Sequence, residues 1–409
     1  MKDYYRNASL TLSALESPDS YCGIFQERKG IQCIPLPSGS TLSNLYMRVP
    51  LPESDTIFSK SVLNGRAWVL QERLLSTRIL HYGEQELFWE CNTCSMREGS
   101  MREEIDRSLT FSSHYLSEGG DFKRLLSQLI HIKDLASVMA TWYRLVTQYT
   151  KRALTRHSDR LPAIAGIASI IAAVTGYRYL AGLWKEDTQG LLWFTVTTNQ
   201  LSPTYLAPSW SWASTADLIS FRYESEIAIT SPEDAQIIDS EVNNIGQDRF
   251  GQVGFGYINL RATGMDLQYD SSLGKLGTRK LPKLLKNSAV QSEDARFLSH
   301  YEYQPAFGEV FLDDANYSVS NKNIDEERRR LCTVVFIQRR IPSNVAAYVG
   351  ALQQKRAQSK IYCLILQQCK EYPAEWKRIG IAMTYDGPVC DFVERGLGEW
   401  SPPREFKIV

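Results

Sequence analysis

The 409 residues carry 46 lysines plus arginines against 46 aspartates plus glutamates, and 43% are hydrophobic and 22% charged. A formal charge of zero leaves no overall field to draw in nucleic acid or an anionic membrane, and this hydrophobic content excludes an intrinsically disordered chain. At roughly 150 residues per domain, the length calls for two or three packing units.

In chain order, Tyr4, Tyr5, Ala8, Leu10 and Leu12 read as the last turn of a helix running into a short strand. A connection over Pro35 to Ser43 follows, then a strand over Leu45 to Val49 and a loop through Pro50, Pro52, Glu53 and Asp55. From Arg66 the apolar residues Trp68, Val69, Leu70, Leu74 and Leu75 recur at helical spacing, with Gln71, Glu72 and Arg73 on the other side. Arg78–Tyr82 and Glu86–Cys91 then read as two strands joined by a turn at Gly83–Gln85.

Residues 121–156 show a helical stripe of Leu135, Val138, Met139, Trp142, Leu145, Val146 and Tyr149, which is a core face. Leu161–Val174 is apolar but shorter than the roughly 20 residues that span a bilayer. It reads as a core helix capped by Asp159, with Pro162 in its first turn, so no membrane span is expected. Beyond Trp184, strands are expected at Leu191–Thr197, Ile258–Ala262, Cys332–Ile337, Ile361–Leu366 and Arg378–Tyr385, in an antiparallel sandwich or barrel-like sheet. Polar stretches at 239–250 and 286–298 read as surface loops, and the mixed charges of Asp325–Arg330 as a solvated face.

Chemistry-bearing patterns are few. Cys91-Asn-Thr-Cys94 has the spacing of half a zinc site without a second half, so the two read as ordinary thiols and no metal is expected. Eight cysteines without a regular framework, and no signal peptide, point to a reducing, cytoplasmic setting. His81, His114, His131, His157 and His300 are scattered, and neither a nucleophile elbow nor a glycine-rich phosphate loop appears. Trp210 and Trp212 sit two apart, as on one face of an extended segment, a pattern that anchors one surface on another more often than it stacks a ligand. Arg66, Gln71 and Glu72 admit two readings: a carboxylate general base beside an amide, or a polar network around Trp68 that fixes the helix to the sheet.

The stretch Arg66-Ala-Trp-Val-Leu-Gln-Glu-Arg-Leu-Leu-Ser76, with Arg78–Gly83 and Leu87-Phe-Trp-Glu-Cys91, resembles the last conserved block of the fungal heterokaryon-incompatibility (HET) domain. Arg160-Leu-Pro-Ala-Ile-Ala-Gly166, Tyr179-Leu-Ala-Gly-Leu-Trp184 and Ala207-Pro-Ser-Trp-Ser-Trp-Ala213 resemble segments that commonly follow it. Met1–Ala14 is similar to the end of the family's middle block, and the family's opening strand has no counterpart, so the resemblance implies an N-terminally truncated HET domain.

The implied fold class is α+β. An incomplete α/β HET domain, distantly Toll/interleukin-receptor-like, covers 1–115, a helical section 116–185 and a β-rich region 186–409. The implied function is fungal non-self recognition and its programmed cell death, with a protein partner or a homologous HET protein; binding of an intact homologue through an exposed sheet edge belongs to the regulatory-module alternative. An incomplete sheet would also make the isolated chain poorly soluble or dependent on a partner. Some Toll/interleukin-receptor domains cleave NAD with a glutamate, which by analogy would lie upstream of Met1. Catalysis is therefore not expected of this chain and no cofactor is implied. The alternatives are an NAD hydrolase using the motif residues Arg66, Trp68, Gln71 and Glu72, and a non-catalytic regulatory module.

Overall fold

The computed structural model describes residues 2–25, 33–35, 46–48, 54–99, 120–128, 134–196, 204–221, 226–229, 234–270, 275–278, 304–305, 309–313, 329–342, 360–383 and 402–409. Helices and sheets are both present, an α+β chain, and it divides into two units, Met1–Gly176 and Tyr177–Val409. The expected boundary at 115/116 lies outside the described residues.

In the first unit, helix α1 (Lys2–Asn7) leads into strand β1 (Thr11–Ser13), followed by a small hairpin of β2 (Cys33–Pro35) and β3 (Tyr46–Arg48). Helices α2 (Ser54–Lys60) and α3 (Ala67–Leu75) precede β4 (Arg78–Tyr82), β5 (Leu87–Cys91) and β6 (Ser95–Arg97), and helices α4 (Gly120–Gln128), α5 (Leu135–Thr150) and α6 (Ala165–Thr175) complete the unit. The sheet order is β1-β4-β5-β6, with β1 parallel to β4 and the other pairs antiparallel.

Helix α3 buries residues almost all round: Ala67, Val69, Leu70, Gln71, Arg73, Leu74 and Leu75. Its first residue lacks a side-chain cap, and the orphan N–H of Ala67 instead donates to the Ala153 carbonyl at 2.9 Å while Ala153 N–H donates to Gly65 at 2.8 Å. Helix α5 has an Asx cap, Asp134 accepting from the Ala136 N–H at 3.0 Å, an arrangement that contributes about 1 kcal/mol. Its stripe buries Val138, Met139, Trp142, Leu145, Val146 and Tyr149, whereas Leu135, expected in the core, lies in the first turn and is exposed.

The apolar segment after it departs from expectation at its start. Pro162–Ile164 forms a 3-10 turn and α6 begins at Ala165, with Ile164 as its N-cap residue. Asp159 belongs to an earlier 3-10 turn, His157–Asp159, and caps nothing in α6; its carboxylate accepts the Trp68 indole N–H at 3.2 Å. Helix α6 ends on Gly176 at φ +73°, a left-handed cap that glycine adopts without steric cost. Among the described residues, His157–Thr175 is the one helical segment whose length and apolarity suit a membrane crossing, and Ile167, Ala168, Ile171 and Ala172 within it are core residues of this unit.

The second unit opens with β7 (Tyr179–Leu180), β8 (Leu183–Trp184), β9 (Phe194–Thr195) and β10 (Ile219–Ser220), paired as β7-β8 and β9-β10. Its remaining strands are β11 (Glu226–Ile229), β12 (Gln236–Asn244), β13 (Val253–Ala262), β14 (Gly264–Asp270), β15 (Lys275–Thr278), β16 (Gln304–Pro305), β17 (Glu309–Leu312), β18 (Arg329–Pro342), β19 (Lys360–Gln368), β20 (Glu375–Met383) and β21 (Arg404–Ile408). They join in one eleven-stranded sheet, antiparallel except where β20 meets β21. The long strands are shared along one edge: β18 pairs with both β14 and β11, and β20 with both β21 and β17. Ile361 to Leu366 of β19 are all buried, as a strand covered on both faces requires, which explains why this segment is continuously apolar.

Two expectations in this unit fail for local reasons. Leu191–Thr197 is not one strand: Asp187 accepts the Gln189 N–H at 3.0 Å and starts a 3-10 helix, Thr188–Leu192, so the paired strand is Phe194–Thr195, and Thr197 lies outside the described residues. The supposed loop at 239–250 contains most of β12, an edge strand whose exposed face supplies its polar residues, and only the turn beyond it, with Gly246 at φ +93°, is loop. Residues 286–298 lie outside the described residues, as do 384–385 of the expected last strand.

Candidate functional site

The four motif residues of α3 start from one short helix, but successive helical positions turn by about 100°, and the structure sends them to different neighbours. Arg66 is exposed and Trp68 half-buried; with Ala153, Leu154, Thr155, Arg156 and Asp159 they line a cleft of about 370 Å³. Gln71 is 3% exposed and turns inward, its Oε1 accepting the backbone N–H of Gly166 at 2.6 Å. Glu72 is half-buried and faces α1, where it hydrogen-bonds the Tyr5 phenol; burial first, then the Glu72 charge and that bond, push Tyr5 up to about 12. Among the described residues no ion pair joins Arg66 to Glu72. The Gln71 amide oxygen is thus taken up by a helix start, and neither Gln71 nor Glu72 is among the residues that line the cleft with Arg66 and Trp68.

Sequence reasoning missed a charged cluster directly beneath α3. Arg73 Nε donates to Glu90 Oε2 at 2.8 Å, with a second bond from its Nη2 to Oε1, and His81 Nε2 meets the same Oε2 at 3.2 Å. The Arg73 guanidinium lies 3.9 Å from the centroid of the Phe58 ring, and Phe58 meets His81 edge to face at 5.0 Å. Lys123 of α4 donates to the Arg73 carbonyl at 3.0 Å.

All four polar residues are less than 5% exposed. Burial draws Lys123 down to about 8 and lowers His81 as well. Burial opposes ionisation of Glu90 too, but the Arg73 charge and the hydrogen bonds from Arg73 and His81 outweigh it and hold the carboxyl well below its usual range. The Arg73–Glu90 ion pair ties helix to sheet and is closed to solvent, while the buried His81 Nδ1 beside it has no hydrogen-bond partner among the described residues. The signal was present in the strand alternation: His81 and Glu90 occupy inward positions beside Ile79 and Phe88, where an apolar residue is the ordinary choice.

Cys91 and Cys94 bring their sulfurs to 3.6 Å, and no group of three or more His, Cys, Asp or Glu side chains suited to a metal occurs among the described residues.

In the second unit the tryptophans are structural. Trp210 and Trp212 do not lie on an extended segment: Trp212 begins a 3-10 turn, and both rings are fully buried. Trp212 Nε1 donates to the Gly182 carbonyl at 2.8 Å, and Trp193 Nε1 to the Trp210 carbonyl at 3.0 Å. The Tyr179–Trp184 and Ala207–Ala213 blocks therefore meet through Gly182, whose φ of +96° is left-handed.

Close by in sequence, a cleft of about 810 Å³ opens over the sheet face. Its wall includes Tyr205 and Phe255, and across its floor runs a ladder in which Lys407 pairs with Glu375 at 2.8 Å and lies 5.0 Å from the centre of the Tyr257 ring. Arg378, its side chain fully buried, donates to Asp313 at 2.6 Å and to the Trp193 carbonyl, 3.4 Å above the Trp193 ring. Lining cations Lys377, Arg378 and Lys407 are balanced by Glu241, Asp313 and Glu375, so the cleft has no strong preference for ligand charge.

No protein-family model, curated protein or solved structure matches this chain.

Proposed function

We propose that this chain is a HET-domain protein of fungal non-self recognition, acting in the cytoplasm in the programmed cell death that follows incompatible fusion. The observation that carries the reading is the bond between Gln71 and Gly166: two sequence blocks that resemble consecutive HET segments, 95 residues apart, make one packed joint. The parallel pairing of β1 with β4, flanked by α1 and α3, supports an α/β domain distantly akin to Toll/interleukin-receptor domains. In this reading the motif polar residues assemble the domain and do not catalyse.

The partner we propose is a homologous HET protein. Among the described residues, strand β1 stands at the end of its sheet with Leu12 52% exposed and Leu10 just before it 45% exposed, an edge that a further strand would cover.

Inducible expression of the chain in a filamentous fungus, scored by vital-dye uptake, tests the function. Death of expressing hyphae is expected; normal growth with folded protein accumulating at the same level would overturn the reading.

A further inference from the structure

Cys91 ends β5 and Cys94 directly precedes β6, so Asn92 and Thr93 form the tip of a tight hairpin. The Cys91 N–H donates to the Cys94 carbonyl at 2.9 Å, which closes the turn, and the two sulfurs come to 3.6 Å with both residues only partly buried and neither in a disulfide. A bond needs the sulfurs at ~2 Å, so the pair has to close from 3.6 Å.

The surroundings favour a thiolate at Cys91. Its sulfur lies 3.1 Å from Thr93 Oγ1 and accepts the Cys94 backbone N–H at 3.4 Å. Lys123 interacts with it electrostatically, and Arg78 stands opposite it in the β4–β5 register. Burial works against ionisation, yet the hydrogen bonds from Thr93 and Cys94 prevail and bring the thiol down to about 6. The fully exposed Cys22 is the contrast within the same chain: its hydrogen bond to Asp19 pushes its thiol up. Two close, reachable sulfurs, one held ready as the thiolate, are the requirements of thiol–disulfide exchange.

We propose that Cys91 and Cys94 form a redox-active dithiol that exchanges with low-molecular-weight disulfides of the glutathione class. The Cys91 thiolate attacks one sulfur of the disulfide, forming a mixed disulfide and expelling the other half as a thiolate, which takes a proton. Cys94, deprotonated, then attacks the Cys91 sulfur and expels the second half. The two cysteines lose two electrons, the small disulfide gains them, and the two thiol protons end on the released thiols. The product staples the β5–β6 turn one residue from Glu90 and beside Asn92, whose carbonyl accepts from Ser127 of α4 at 3.4 Å.

The test uses the full chain in mixtures of reduced and oxidised glutathione, acid-quenched and read by peptide mass spectrometry. The expected result is a Cys91–Cys94 peptide that loses two hydrogens as the mixture becomes more oxidising, and a Cys94→Ser chain that stops as the glutathione adduct of Cys91. In the unmodified reduced chain, alkylation near pH 6 should label Cys91 about tenfold faster than Cys22, thiolate fraction outweighing the lower nucleophilicity of a low-pKa sulfur. A pair that stays dithiol in excess oxidised glutathione, or a Cys91 alkylated no faster than Cys22, would overturn the proposal, and neither measurement depends on a variant.

Discussion

The carboxamide oxygen of Gln71 accepts the backbone N–H of Gly166 at 2.6 Å, joining the middle of α3 to the start of α6. The joint has no spare room: a Cβ on Gly166 would lie 2.8 Å from that oxygen and 2.9 Å from Leu75 Cδ1. Glycine is needed here because the helix start must come close to α3, since its backbone is ordinary helix.

Gly166→Ala is therefore expected to destabilise the first unit by about 1–3 kcal/mol through overpacking. Gln71→Ala leaves a buried N–H without its acceptor and is expected to cost about 1–3 kcal/mol. Because both changes break one contact, the double variant should lose clearly less than the sum. Amide hydrogen exchange in α3 and α6 of the full chain measures all three.

Glu90→Gln should be worse than either. It leaves the Arg73 guanidinium buried without its counter-charge, and breaking a buried pair from one side costs about 3–5 kcal/mol. Urea denaturation followed by near-ultraviolet circular dichroism gives the loss; a change below about 1 kcal/mol would mean that water reaches the pair.

Acid should weaken the first unit in two stages. His81 is lowered chiefly by burial, so below the usual value of 6.5 the unfolded chain binds a proton that the folded chain refuses, and stability falls as pH drops through that window. Glu90 is also lowered, so its contribution is fully present above the ordinary carboxylate value of about 4.3 and is lost as pH falls through its depressed folded value. His81→Asn should flatten the first stage and keep the second, read as the urea midpoint against pH.

In the second unit, Gly182→Ala should be strongly destabilising. The position has φ +96°, and a Cβ would stand 2.6 Å from Trp212 Nε1, whose hydrogen bond to the Gly182 carbonyl would be pushed apart. The expected sign is a red-shifted tryptophan emission and a lower thermal midpoint, since an ejected indole meets water.

Legibility followed periodicity. Helix α3 was plain in the sequence because Trp68, Val69, Leu70, Leu74 and Leu75 recur at helical spacing, strands β4 and β5 because two short runs rich in apolar and aromatic residues flank a turn at Gly83–Gln85, and β19 because it is apolar throughout. Strand β12 was hidden because an edge strand with an exposed face has the composition of a loop, and Leu191–Leu192 were misassigned because their burial comes from a 3-10 turn started by Asp187.

The candidate site was half legible. Gln71 could be picked out as part of a motif, but its partner is 95 residues away and a backbone group, which leaves no trace in side-chain pattern. Of the Arg73–Glu90 pair only Glu90 was readable, as a charged residue at an inward strand position; Arg73 falls on the polar side of the α3 pattern, and their meeting depends on how α3 lies on β5.

The most direct test of the account scores cell death on inducible fungal expression for the wild-type chain, Glu72→Gln and Gly166→Ala side by side. If the motif residues assemble a HET domain, Glu72→Gln kills as the wild type does and Gly166→Ala kills less, in proportion to its lost stability. If Glu72→Gln abolishes killing while the wild type depletes cellular NAD, Glu72 is a catalytic carboxylate and the architectural reading of the motif is wrong.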